Sequence, residues 1–228
     1  MPKLAIIGLG KMGRVVEQLA PERGFQVVRR IDLVHGDAPG VSADALRGAD
    51  VAIEFTTPTA AIANVRACID AHCPVVVGTT GWYDQRPSLE AYARDRKGAL
   101  LVASNFSVGV AAFFAIAQAA ARQLRTTGFE AHIVETHHSA KQDAPSGTAA
   151  SLEKSLRDGW GHEIPIASVR VGSVPGTHEL IFDGPFEQIR VEHVARDRRV
   201  FADGALRAAA WIIGRTGVFT MNDVLAGA

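Results

Sequence analysis

Hydrophobic positions follow two rhythms along the chain. Before Phe106, short apolar runs alternate with stretches of helical spacing. Leu4 to Ile7 runs into glycines and is followed by a helical pattern from Lys11 to Ala20. Gln26 to Ile31 carries Val27, Val28 and Ile31, and three further runs follow at Val51 to Phe55, Val75 to Val77 and Leu100 to Ala103. Between them, Thr59 to Ala71 puts Ile62, Val65 and Ile69 on one helical face, and Ser88 to Arg96 reads as another helix. Strands alternating with helices in this way predict a parallel sheet covered on both faces.

After Phe106 the rhythm changes. Val108 to Leu124 predicts one long Ala-rich helix, Ile133 to His137 a strand and Gly147 to Arg157 a helix. Val169 to Val194 holds several short strands broken by Gly and Pro. This is an α+β pattern with a mostly antiparallel or mixed sheet. Gly204 to Ile213 predicts an apolar helix and Val218 to Ala228 a short tail, and periodicity leaves open which domain they join.

The 228 residues suffice for one large domain or two small ones with a sizeable core. Lys plus Arg balances Asp plus Glu at 24 each, so nothing global favours nucleic acid or an anionic membrane surface. The longest apolar runs fall short of the ~20 residues of a membrane span, and the N-terminus reads as a strand rather than a signal peptide. Cys68 and Cys73 lack any zinc-ligand spacing and read as buried free thiols, in keeping with a reducing cytoplasm. No metal is called for.

Candidate chemistry begins with "GLGKMG", whose Gly8, Gly10 and Gly13 fit a dinucleotide fingerprint between a strand and a helix. The first glycine permits the tight turn, the second lets backbone approach a pyrophosphate, and the third lets helix pack on strand. A plain glycine turn is the alternative. Asp32 ends the second strand, where a carboxylate receives ribose hydroxyls and disfavours a 2′-phosphate. Leu33 offers no compensating charge, although Arg29 and Arg30 stand close. The expected cofactor is NADH ahead of NADPH. "VVVGTTGW" and "VASNFSVG" follow strands at their carboxyl ends, where small and hydroxyl residues let backbone reach a nicotinamide or ribose; ordinary turns would look the same.

The densest stretch is "ETHHSAKQDAPSGTA", residues 135–149. Adjacent histidines on a strand point to opposite faces, so Glu135 and His137 share one and His138 takes the other. An imidazole suits general acid work, and Lys141 supplies positive charge or a second proton. Asp143 or Ser146 can cap the following helix, and the amides of Gly147 and Thr148 form an anion site. The run reads as a receptor for a small acid that needs a proton; an ordinary capped helix with solvated neighbours is the alternative.

Together with "EFTTP", "SNFSVGV", "RVGSVPGTHEL" and "FADGALRAAAWI", these segments resemble the 4-hydroxy-tetrahydrodipicolinate reductase (dihydrodipicolinate reductase) family of lysine and diaminopimelate biosynthesis nearly end to end. The resemblance implies a Rossmann-like cofactor domain, 1–106 plus 204–228, and a substrate domain, 107–203, whose sheet builds a homotetramer. It implies His137 as proton donor, Lys141 as second catalytic residue, His138 on the substrate, and Gly147 and Thr148 on a substrate carboxylate. Cofactor contacts would come from Gly8, Leu9, Gly10, Lys11, Met12 and Gly13, from Asp32, from Gly78, Thr79 and Thr80, and from Ala103, Ser104, Asn105 and Phe106. Arg198 is a further candidate, and Arg170 and His178 stand beside either a substrate cleft or sheet and turn positions. Departures from the family pattern are a fingerprint of the shorter kind, Leu33 where some relatives carry an arginine, Ser139 and Ala140 where many carry basic or imidazole side chains, and a compact connection after Asp32. Competing assignments are another small NAD-dependent oxidoreductase, such as an aspartate dehydrogenase, which has no need of the whole His-His-Lys run, and a non-enzymatic dinucleotide-binding regulator.

Overall fold

The structure, a computed structural model, describes residues 1–227. The chain divides into two compact units, Met1–Ser107 with the segment from Arg198 onward, and Val108–Asp197.

In the first unit the short apolar runs form strands because Val and Ile branch at Cβ and pack well on a doubly covered sheet. Six strands result: β1 (Lys3–Ile7), β2 (Gln26–Ile31), β3 (Val51–Glu54), β4 (Val75–Val77), β5 (Ala99–Val102) and, from the C-terminal segment, an edge strand at Gly217–Phe219. Every pairing is parallel. Helices α1 (Lys11–Leu19), α2 (Pro58–Asp70) and α3 (Arg86–Asp95) follow β1, β3 and β4. Two apolar clusters sandwich the sheet. One joins Val16, Phe106, Leu206 and Ile212 to one face, and the other joins Val65, Ile69 and Leu89 to the opposite face.

The second unit carries α4 (Val108–Leu124), β6 (Glu130–His137), α5 (Gly147–Trp160), β7 (Ile166–Arg170), β8 (Thr177–Asp183) and β9 (Gln188–Val194). The sheet is mixed, in the order β7-β6-β8-β9, with β6 and β7 parallel and the other neighbours antiparallel. Phe113, Ile133, Leu152, Leu156 and Phe182 are buried between its inner face and α4 and α5.

Two features differ from the periodicity reading. The last helix of the core, α6, runs Arg199–Ile212 and so begins before Gly204. Gly204 looks like a helix boundary but is an interior contact. A Cβ there would lie 1.7 Å from the carbonyl oxygen of Phe106, so only a glycine lets the helix meet that backbone. The expected tail is also structured. Gly217–Phe219 is the edge strand β10, parallel to β5, and α7 (Met221–Ala226) follows behind a reciprocal Thr220–Asp223 cap. Three residues are too few to show a strand period.

Replacing Gly204 by Ala tests the close approach. Helix propensity favours Ala, but the clash with the backbone carbonyl of buried Phe106 outweighs it. A net loss of about 2 kcal/mol in urea unfolding is expected; a gain in stability would show that Gly204 is dispensable.

Candidate active site

The glycine turn of the first unit is built from backbone contacts that exclude side chains. Gly8 sits at φ +89°, and a Cβ there would lie 2.2 Å from the carbonyl oxygen of Phe55. A Cβ on Gly13 would lie 1.9 Å from the carbonyl oxygen of Gly8, which is how α1 packs so closely on the turn. Gly10, the N-cap of α1, faces open space, and no side chain there uses up the first amides.

The turn borders a crevice of about 400 Å³, lined by Gly10, Lys11 and Met12 after β1, by Phe55, Thr56 and Pro58 after β3, and by Gly78, Thr79 and Thr80 after β4. Strand order reverses between β1 and β3, so the crevice opens at the carboxyl ends of strands beside the switch point, where open α/β sheets bind ligands. Gly78 is small because the Phe55 ring lies on it; an added Cβ would be 2.0 Å from a ring carbon.

Asp32 follows β2 and holds the turn together. Its Oδ2 accepts from the Leu9 amide at 2.8 Å, and its Oδ1 accepts from Val34 N at 3.0 Å and His35 N at 3.1 Å. The Leu9 amide above all, with those of Val34 and His35, draws its carboxyl below the usual range, against the cost of desolvation. Of the neighbouring arginines, Arg30 is engaged by Glu17 and Arg29 by the Val28 carbonyl.

The other residues expected at the cofactor are placed unevenly. Leu9 is buried and acts through its amide, while Thr79 is buried with its Oγ1 accepting from Thr56 N at 2.7 Å. Ala103 is buried, with its amide on Val77 O at 3.2 Å. Ser104 is exposed, and Asn105 Oδ1 accepts from Ser107 N at 2.8 Å. Phe106 is a core residue stacked edge-on to Phe55, so its ring is unavailable to a ligand. Arg198 is exposed at the N-cap of α6, outside the crevice lining.

Sequence reading passed over Glu54, the last residue of β3. Its side chain is fully buried, accepts from Thr56 Oγ1, and keeps Asn64 in the same network. Burial raises its carboxyl, against hydrogen bonds from Thr56, Thr79 and Asn64. An acidic residue closing an apolar strand was the available signal.

In the second unit, alternation along β6 turns Ile133, Glu135 and His137 inward, and all three are buried. Glu135 hydrogen-bonds His137 Nδ1 through Oε2. Its Oε1 accepts from Arg170 Nη2 at 2.7 Å and from Ser146 N at 3.3 Å. The same Arg170 nitrogen donates to the Asp143 carbonyl at 2.7 Å. His178 stands edge-on to His137, with ring centroids 5.2 Å apart, and its Nε2 meets Ser146 Oγ at 3.1 Å. Ser146, not Asp143, caps α5, accepting from Ala149 N at 3.2 Å. Asp143 instead takes the Lys141 ammonium, at 2.7 and 2.9 Å. Gly147 and Thr148 form the first turn of α5 beside this cluster, and His138, just past β6, is only partly exposed.

The electrostatics follow from burial. Desolvation would raise the Glu135 carboxyl, but hydrogen bonds from Arg170, Ser168 and His137 outweigh it and hold it down at about 2. Burial lowers His137, against the pull of Glu135. Burial above all, then the neighbouring His137, brings His178 down to about 4. Glu135, His137 and His178 offer three ligand atoms within 4.8 Å of one another. Both oxygens of Glu135 are already engaged, however, and a guanidinium stands beside them, which disfavours a further cation. The cluster reads as an acid–imidazole pair with its own countercharge.

Two family models match this chain. One described as dihydrodipicolinate reductase, N-terminus, covers residues 2–106, and one described as dihydrodipicolinate reductase, C-terminus, covers residues 109–225. The chain is 35% identical over 237 residues to the 4-hydroxy-tetrahydrodipicolinate reductase of Christiangramia forsetii, covering 97% of each chain. It is 36% identical over 262 residues to that of Chromobacterium violaceum, again covering 97% of each. Its fold matches the dipicolinate-bound dihydrodipicolinate reductase of Paenisporosarcina sp. TG-14 with a TM-score of 0.82 at 23% identity, over 97% of this chain and 99% of that one.

His178 generates a pH prediction. Its folded pKa lies below the unfolded 6.5, so stability is complete above that value and is lost as pH falls toward 4. Unfolding free energy should drop by about 2 kcal/mol at this residue between about pH 7.5 and about pH 5. Urea titrations at both pH values check this, and His178→Gln should flatten the slope. An unchanged slope in that variant would contradict the burial of a neutral ring.

Proposed function

The chain belongs to the dihydrodipicolinate reductase family, and we propose that it reduces 4-hydroxy-tetrahydrodipicolinate, through its dehydrated cyclic imine, to tetrahydrodipicolinate in lysine and diaminopimelate biosynthesis. The observation that carries this reading is the second unit's cluster, in which a buried imidazole, a lysine and a helix N-terminus are tied together within one loop and helix start. That is the equipment a small diacid needs. An aspartate dehydrogenase would need the glycine turn alone, and a regulator would need neither His137 nor Lys141.

The glycine turn fits a dinucleotide, because the cradle at Gly8, Gly10 and Gly13 is one that side chains would fill or block. In this reading Gly8 to Gly13 and Thr80 hold the pyrophosphate side of the crevice, and Asp32 meets the ribose. Gly78, Thr79 and Ala103 to Asn105 offer backbone to the nicotinamide end, while Phe106 supports them from the core. When bound, the reduced nicotinamide supplies the hydride.

The remaining chemistry belongs to the protein. Gly147 and Thr148 hold one substrate carboxylate at the N-terminus of α5, where the helix dipole favours negative charge. Lys141 meets the diacid in competition with Asp143, and His138 contacts the ring from the other side of the strand end. Hydride addition leaves negative charge on the substrate ring. His137 delivers the one proton that neutralises it and becomes neutral itself, and solvent restores the proton. Metal has no part in this sequence.

Assembly as a homotetramer through the mixed sheet is supported by Val169 on β7 and Val194 on β9, which share the face turned away from α4 and α5 and are 42% and 52% exposed. Among the described residues no helix is long and apolar enough to cross a membrane, and we place the enzyme in the cytoplasm, with no nucleic-acid or membrane partner.

The direct test supplies freshly made substrate from the preceding synthase and follows NADH oxidation. His137→Gln should lower turnover by about 10²–10⁴-fold and Lys141→Ala by about 10²-fold. NADH affinity should stay within about twofold of the parent. No oxidation above background by folded protein with either cofactor would defeat the assignment. The fixed Asp32 carboxylate also predicts a kcat/KM about tenfold higher with NADH than with NADPH; a tenfold preference in the opposite sense would place Asp32 away from the ribose.

A further inference from the structure

A fully buried carboxylate beneath the proposed proton donor needs an account of its own. Glu135 has no exposed surface, and a charge in that position persists only when it is fully paired. Its donors come from three places in the fold: His137 on its own strand, Arg170 and Ser168 on β7, and the amide of Ser146 where α5 begins. Arg170 reaches it because the parallel register of β6 and β7 sets Arg170 beside His137.

We propose that Glu135 is the positioning residue of His137, fixing the imidazole as its Nδ1–H tautomer and presenting Nε2 as the atom that exchanges the proton. This rests on the reading of His137 as proton donor. An ionised carboxylate only accepts hydrogen bonds, so the ring nitrogen that meets it must carry hydrogen. Nε2 then holds the lone pair in the resting state and the transferable proton in the charged state.

A second observation concerns Nε2 itself. It lies against Gly176, where a Cβ would come within 3.0 Å, so the residue opposite the reactive nitrogen is one without a side chain. The same carboxylate links the ring to α5 through Ser146 and to the Asp143 carbonyl through Arg170. The segment that carries Lys141, Gly147 and Thr148 is therefore located by the group that orients the imidazole.

The charged and titratable groups facing His137 are Glu135 on β6, Arg170 on β7, His178 on β8 and Lys141 on the connecting loop. Of these, Glu135 alone is negative. Burial, Lys141 and Arg170 all disfavour the charged imidazole, and Glu135 keeps it attainable.

Nitrogen-15 NMR on the full chain labelled at histidine reads the tautomer without any turnover. In the parent at neutral pH, His137 should carry hydrogen on Nδ1 and leave Nε2 bare. In Glu135→Gln the amide oxygen stays with Arg170 and Ser146 N, so the amide NH₂ faces Nδ1 and the ring hydrogen moves to Nε2. Turnover should fall about 10²-fold with the NADH KM unchanged, and the alkaline limb of kcat/KM should move to lower pH. Glu135→Asp keeps the charge and should restore both the tautomer and the limb.

A parent ring protonated at Nε2 with Nδ1 bare would overturn the proposal, whether or not the variant folds. So would a folded Glu135→Gln that keeps the parent tautomer and pH profile. The expected tautomer in a protein without reductase activity would instead leave the positioning role standing and remove the proposed function.

Discussion

A carboxylate sealed from water sets the terms for the whole second unit. Glu135 stays ionised because an imidazole, a guanidinium, the Ser168 side chain and a helix-start amide meet it together. Those partners come from β6, β7 and the beginning of α5, so the requirement to satisfy one side chain fixes three elements relative to each other. Removing one partner would leave a buried charge uncompensated, which costs more than a single hydrogen bond. The proposed proton donor and the proposed anion-binding helix start are consequently parts of one network. His178 and Ser146 extend it, with the hydroxyl capping the helix and meeting a ring that burial keeps neutral.

The first unit solves a different problem by different means. A dinucleotide needs close backbone approach, and there the selected property is the lack of side chains. Gly8, Gly13 and Gly78 each stand where a Cβ would strike a neighbour, and Asp32 fastens the turn through the Leu9 amide. Glu54, Thr56 and Thr79 support the crevice floor from below. The proposed function thus puts cofactor binding and proton chemistry in separate parts of the chain, one built on glycines and the other on charge.

Much of this was legible because it is local. The glycine turn, the strand–helix alternation and the pairing of Glu135 with His137 on one strand face all lie within a few residues of each other. What the sequence concealed depends on register and packing. Arg170 stands 35 residues from Glu135, and only the parallel pairing of β6 and β7 brings them together. Gly204 resembled a helix start because its contact, the Phe106 carbonyl, is distant in the chain. The edge strand β10 has three residues, too few for any period. Lys141 was expected to supply positive charge or a second proton, and its partner Asp143 was instead read as a candidate cap.

On the proposed function, the resting imidazole of His137 is neutral and takes up a proton when a diacid arrives. Calorimetric titration of dipicolinate into the NADH-loaded protein near neutral pH, repeated in buffers of different ionisation enthalpy, counts that proton. Net uptake approaching one proton per site, abolished in His137→Gln, is the expected result. A binding enthalpy independent of the buffer, or the same uptake in the variant, would contradict it.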